Sequence, residues 1–176
     1  MLTGTKMAVA CPRIGLEWFA VRVRTRAEST VSEFLKARGV ETLCPTYPDR
    51  RRYSDRIKTV EAALFPGYLF CNIDRFDRLP VLSAPGVDYI VGFGHEPYPV
   101  DLGEILAVQA VIRSGLLARP HPFLKVGQRV RVESGPLNNL EGILIATKSE
   151  NRLVLSISML QRSISAELDS AVVRPI

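Results

Sequence analysis

The hydrophobic rhythm of this chain changes near residues 116–122, and that change limits the folds open to it. Before it, short alternating stretches are interleaved with stretches whose apolar residues recur every three or four positions. After it, only short alternating stretches occur. The junction, Leu116-Leu117-Ala118-Arg119-Pro120-His121-Pro122, holds two prolines that oppose a helix and favour an extended linker. At 176 residues the chain reads as two small domains, 17–115 and 123–176, with that linker at 116–122 and a loose leader at 1–16.

The first domain alternates between the two rhythms. Phe19, Val21 and Val23 mark one face of a strand from Glu17 to Val23. Thr25 and Glu28 have capping-box spacing ahead of a helix with Ala27, Val31, Phe34 and Leu35 on one stripe, and Gly39 stands where it ends. Short strands follow at Val40–Leu43, Thr59–Leu64 and Tyr68–Ile73. Asp74 can cap a helix around Arg75–Leu82, and Val87–Phe93 reads as a strand. Asp101 and Glu104 form a second capping box, opening a helix with Ile105, Val108 and Ile112 on one side and Gly115 at its close. This order predicts an α+β domain with a largely antiparallel sheet flanked by helices. In the second domain, alternation at Arg129–Glu133, Ile143–Ala146, Leu153–Ser158 and Ile164–Leu168, with a turn at Lys148-Ser149-Glu150-Asn151, predicts a small β-barrel.

Inside the first domain, Leu64-Phe65-Pro66-Gly67-Tyr68-Leu69-Phe70 is a stiff corner. Pro66 presets φ near −65°, and Gly67 supplies the positive φ that a type II turn requires. Tyr68 and Phe70 then fall on one face of the next strand, with Leu69 and Cys71 on the other. Aromatics on a rigid support suit a core and equally suit a docking patch. Just before the corner, residues 49–58 carry Arg50, Arg51, Arg52, Arg56 and Lys58 against two aspartates, as a loop or the exposed tip of a hairpin. The net charge of +5 allows a nucleic-acid partner without demanding one.

Other chemistry is absent from the sequence. Cys11, Cys44 and Cys71 are odd in number and widely spaced, which argues against a disulfide framework or a zinc site and fits a reducing cytoplasm. No apolar run approaches the roughly 18 residues of a membrane span, and Met1–Pro12 is too weak for a secretory signal. His95 and His121 stand far apart in loop-like stretches. Gly92-Phe93-Gly94 lacks the third glycine and the following helix of a dinucleotide fingerprint. The chain reads as a non-enzyme without cofactor or metal.

Lys125-Val126-Gly127-Gln128-Arg129-Val130-Arg131-Val132, Gly135-Pro136-Leu137 and Leu140-Glu141-Gly142-Ile143 together resemble a KOW motif, the β-barrel signature of several ribosomal and transcription proteins. Joined to the aromatic corner and to the Trp18-Phe19 strand, they resemble the NusG family of transcription elongation factors. Ser83-Ala84-Pro85-Gly86-Val87 and Ser156-Ile157-Ser158 with Gln161-Arg162-Ser163 continue the likeness. The run from Arg51 to Arg56 before the corner, and Leu160-Gln161-Arg162-Ser163, are similar to the specialised UpxY- and RfaH-like paralogues.

The resemblance implies an NGN-like first domain and an SH3-like barrel. It implies a monomeric cytoplasmic factor that sits on the β′ clamp helices of RNA polymerase beside the transcription bubble and opposes pausing or termination at particular operons. The family's docking patch carries over onto Phe65, Pro66, Gly67, Tyr68 and Phe70, with Trp18 in the patch or beneath it. Arg22, Arg24, Thr25 and Arg26 match positions that touch the non-template DNA strand, or else form a solvated helix start. The cations of 49–58 add a second contact to DNA or polymerase, or stay solvated. Leu137 and Asn138 occupy the loop where family members recruit a ribosomal protein or a termination factor, although Leu137 replaces an aromatic. A His-Thr-Thr motif is missing near 75–81. The competing reading is a ribosome- or RNA-associated KOW module.

Overall fold

The computed structural model describes residues 15–52, 56–121, 123, 127–146, 151–168 and 173–176. Most of the leader therefore lies outside the described residues. The first part contains β1 (Leu16–Val23), α1 (Glu28–Lys36), β2 (Glu41–Leu43), β3 (Thr46–Arg52), β4 (Ile57–Ala63), β5 (Tyr68–Asp74), α2 (Leu79–Leu82), β6 (Val87–Ile90), β7 (Gly92–Phe93), β8 (Glu96–Pro97) and α3 (Leu102–Ser114). The fold class is α+β. Its main sheet is antiparallel in the order β2-β5-β1-β6, and β3–β4 and β7–β8 are separate hairpins.

Strand alternation gives that sheet two apolar faces. Phe19, Val21 and Val23 of β1 and Leu69, Cys71 and Ile73 of β5 bury against Val31 and Leu35 of α1 and Val81 and Ala84. Burial pushes the Cys71 thiol up to about 12, so it stays a neutral core residue. Trp18, Ala20 and Phe70 turn to the opposite face, where α3 contributes Ile105, Val108 and Val111.

Several helix signals land elsewhere than expected. Arg26 takes φ +72, so the chain turns once more before α1 begins, and the cap position falls on Ala27 with no side-chain hydrogen bond. Thr25 does not cap. Asp74 instead accepts the Phe76 N–H at 2.8 Å, a local turn that ends before α2 starts. The expected strand 87–93 breaks after Ile90, and Gly92–Phe93 folds back on Glu96–Pro97. In α3, Val111 is buried while Ile112 is 42% exposed. Asp101 does cap α3, its carboxylate accepting Gly103 N–H at 2.8 Å and Glu104 N–H at 3.2 Å, and Gly115 closes the helix at φ +70.

The second part is β9 (Ala118–His121), β10 (Gln128–Val132), β11 (Glu141–Ala146), β12 (Asn151–Ile157), β13 (Arg162–Leu168) and β14 (Val173–Pro175), with a 3₁₀ turn at Ser158–Leu160. They form one antiparallel sheet in the order β14-β10-β11-β12-β13-β9 around Val130, Val132, Leu153, Leu155, Ile157 and Ile164. The turn expected at 148–151 lies outside the described residues up to Glu150, while its flanks pair as β11 and β12. The stretch expected as a linker is not free: β9 pairs with β13 from Ser163↔His121 to Ala166↔Ala118. Replacing Asp101 by Ala leaves two helix-start N–H groups unmet and should lower stability by about 1 kcal/mol, read by chemical denaturation.

Candidate functional site

The corner of the first part is fixed by its own closing bond and by contacts from β1 and α1. Tyr68 N–H donates to Phe65 C=O at 2.9 Å, closing the turn, and Gly67 takes φ +81 at its second corner. Gly67 C=O accepts the Val23 N–H of β1 at 3.0 Å. Gly67 N–H donates to Glu28 Oε1 at 2.7 Å, from the first residue of α1. The Arg22 guanidinium covers the glycine so closely that a Cβ there would meet Nη1 at 2.5 Å. That guanidinium also lies 4.9 Å from the centre of the Tyr68 ring, a cation–π arrangement.

Behind the turn, Phe65 and Phe70 meet edge to face, with ring centres 5.3 Å apart and planes at 88°. They are 1% and 0% exposed. Tyr68 is half-buried and Pro66 is exposed. Trp18 shares the sheet face with Phe70 but stands away from the corner, opposite Asn72, beneath the Tyr98–Leu102 segment. There Trp18 C=O accepts the Val100 N–H at 2.7 Å.

What buries the aromatics is the rest of the chain. One apolar cluster runs without interruption from Trp18, Phe65 and Phe70 through α3 to Val130, Val132, Leu155, Ile157 and Leu160 of the barrel, with Tyr68 and Met159 packed at its side. The Arg162 guanidinium approaches the Tyr68 ring to 5.9 Å, so the ring has one cation from its own sheet and one from the barrel. Ser158 N–H, at the start of the 3₁₀ turn, donates to Glu104 Oε1 at 3.1 Å. Glu104 thus reaches across to the barrel rather than back to its own helix start. Sequence reasoning assigned Glu28 and Glu104 to capping boxes and gave Arg162 no role. The structure gives all three contacts to the corner or to its cover.

The basic residues form two exposed groups. Arg24, Thr25 and Arg26 occupy the β1–α1 loop, where Arg24 N–H donates to Gly86 C=O at 2.9 Å; Arg22 is half-buried over the corner. The Arg-rich segment is a hairpin arm: Arg50 pairs in register with Thr59, Arg51 with Lys58 and Arg52 with Ile57. Arg50, Arg52, Arg56 and Lys58 are exposed, and 53–55 lie outside the described residues. Four barrel arginines have acidic partners: Arg131 and Arg129 with Glu141, Arg152 with Glu167, Arg174 with Glu133. Leu137 is buried in the core, where the tight turn from Gly135 folds it inward, and only Asn138 of that pair is exposed. Among the described residues no group of His, Cys, Asp and Glu could hold a metal, and no helix is long and apolar enough to cross a membrane.

The family described as transcription termination factor nusG matches residues 16–109. The transcription termination/antitermination protein NusG of Thermus thermophilus is 28% identical over 179 residues, covering 89% of this chain and 96% of that one. The protein of the same description from Helicobacter pylori J99 is 26% identical, with 87% and 94% covered. A solved structure described as domain interaction in Thermotoga maritima NusG covers 93% of this chain and 98% of that chain at 22% identity, with a TM-score of 0.54, a likeness of fold.

Changing Gly67 to Ala forces a side chain into the left-handed region and against Arg22. It should cost about 1–2 kcal/mol and displace Arg22 from Tyr68, measured by denaturation and by the Tyr68 ring shifts in NMR spectra.

Proposed function

The chain belongs to the NusG family of transcription factors, and from that premise we propose that it grips the β′ clamp helices of RNA polymerase through the Phe65–Phe70 corner. In this reading it is a non-enzymatic cytoplasmic factor that promotes processivity, opposing pausing or termination at particular operons as the UpxY- and RfaH-like paralogues do. The observation that carries the reading is the corner itself. A turn held by β1 and by Glu28 presents an aromatic cluster that the chain's second part helps to cover. Aromatic anchors on such a support can each be worth about 2 kcal/mol or more in a desolvated interface.

The described conformation is then a resting one. Polymerase and barrel compete for the same face, so docking requires the barrel to leave, breaking the Arg162–Tyr68 and Ser158–Glu104 contacts. Trp18, beside the Tyr98–Leu102 segment, belongs to the same apolar face as Phe70 and extends the patch along the sheet. Pro66 and Gly67 hold the corner's shape. Once docked, Arg22, Arg24, Thr25 and Arg26 face the non-template strand. Arg50, Arg51, Arg52, Arg56 and Lys58 reach for the nucleic-acid backbone from the hairpin arm, neutralising phosphates without reading sequence. The released barrel is free to recruit a ribosomal protein or termination factor, with Asn138 in its exposed loop.

Full-length Tyr68→Ala should bind core polymerase at least about tenfold more weakly while remaining folded, since Tyr68 is half-buried and its loss opens no deep cavity. Glu104→Ala combined with Arg162→Ala should strengthen binding by loosening the cover. Unchanged binding by a folded Tyr68→Ala protein would sink the patch assignment. Transcription in vitro on the native operon leader, read for readthrough, tests the functional direction.

A further inference from the structure

Two Pro-Gly corners close on the first turn of α1. At one, Pro85-Gly86, Gly86 C=O accepts the Arg24 N–H, and its backbone lies so near the helix that an added Cβ would meet Val31 at 3.1 Å and Ala27 at 3.5 Å. At the other, Pro66-Gly67, contact is made by a single side chain, Glu28. This glutamate is 5% exposed, sits at the helix start and caps nothing there. A buried carboxylate aimed at a backbone N–H across 39 positions of sequence calls for an account that helix capping does not give.

The turn chemistry supplies one. Types I and II differ mainly by a flip of the central peptide, here Pro66–Gly67, which reverses the direction of the Gly67 N–H. The closing bond from Tyr68 to Phe65 is compatible with either orientation. Gly67 C=O, bound by Val23, belongs to the following peptide and leaves the central one free. Only Glu28 holds the N–H of the central peptide, and it holds it in the orientation that goes with φ +81.

We infer that Glu28 is a positioning residue that locks the Pro66–Gly67 peptide in its type II orientation, and so fixes how Phe65 and Tyr68 are presented to polymerase. The inference rests on the docking reading above and deepens it. It also joins the two surfaces. Because α1 grips both corners, the Arg24–Arg26 loop and the aromatic corner move as one body, in fixed register between nucleic acid and polymerase.

The test uses three full-length variants, each checked for folding by circular dichroism and melting. Glu28→Asp keeps the charge at the helix start but is one methylene too short for Gly67. Glu28→Gln keeps a carbonyl acceptor at the right reach, and Glu28→Ala removes both. Amide exchange of Gly67 and affinity for core polymerase are read for each. Asp and Ala should unprotect the Gly67 amide selectively and weaken polymerase binding about tenfold, whereas Gln should restore both. A folded Glu28→Asp protein that binds as wild type although its Gly67 amide exchanges fast overturns the positioning role. So does a Gln variant as impaired as Ala, or an Asp variant that leaves the amide protected. Tyr68→Ala in the same assay separates the two ideas: if it binds normally, the docking reading fails by itself, while Gly67 exchange still reports whether Glu28 locks the turn.

Discussion

A β-sheet with two apolar faces has to be covered twice, and the rest of this molecule follows from that requirement. The β1–β5 pairing sends Phe19, Val21, Leu69 and Cys71 to one side and Trp18, Ala20, Phe70 and the corner to the other. α1, with Val31 and Leu35, closes the first side. The second side is closed partly by α3 and partly by the barrel, which belongs to a different sheet. A covering that is local in sequence is hard to remove. One supplied by a separate unit can be exchanged for another apolar surface of comparable size, which is what the proposed docking through Phe65 and Phe70 requires.

On the barrel strands, Arg131 and Arg152 are matched by glutamates on neighbouring strands, Glu141 and Glu167, while Arg162 faces the Tyr68 ring. Arg24 and Arg26 of the β1–α1 loop and Arg50, Arg52, Arg56 and Lys58 of the hairpin arm stand exposed on the first part. Their field extends about 8–10 Å at ordinary ionic strength and is weakened by salt, so it acts on encounter and orientation more than on the strength of the final grip.

The sequence displayed the corner and the sheet faces clearly, because Pro66-Gly67 marks a turn and strict alternation dictates a face. It misled where one residue pattern serves two physical ends. Thr25-x-x-Glu28 has the spacing of a capping box, yet the left-handed Arg26 inserts a turn and frees Glu28 to reach Gly67. Asp74 precedes a helix, yet satisfies a nearer N–H. Val111 and Ile112 are both apolar and adjacent, and it is Val111 that turns into the shared apolar cluster. The docking of barrel on sheet left no local mark, since Glu104 and Ser158 are 54 positions apart and each looks ordinary alone.

The pairing of β9 with β13 bears on how tightly the molecule is held shut. Only Gly115 to Leu117 lie between the end of α3 and this strand. Three residues span about 10 Å at full extension. While β9 stays paired, a barrel that lets go of the corner remains within that leash, at an effective concentration in the millimolar range or above. A weak interface is then enough to keep the face covered. An incoming partner therefore competes with a neighbour on a short tether, and its apparent affinity is set as much by the length of that tether as by the contacts it makes.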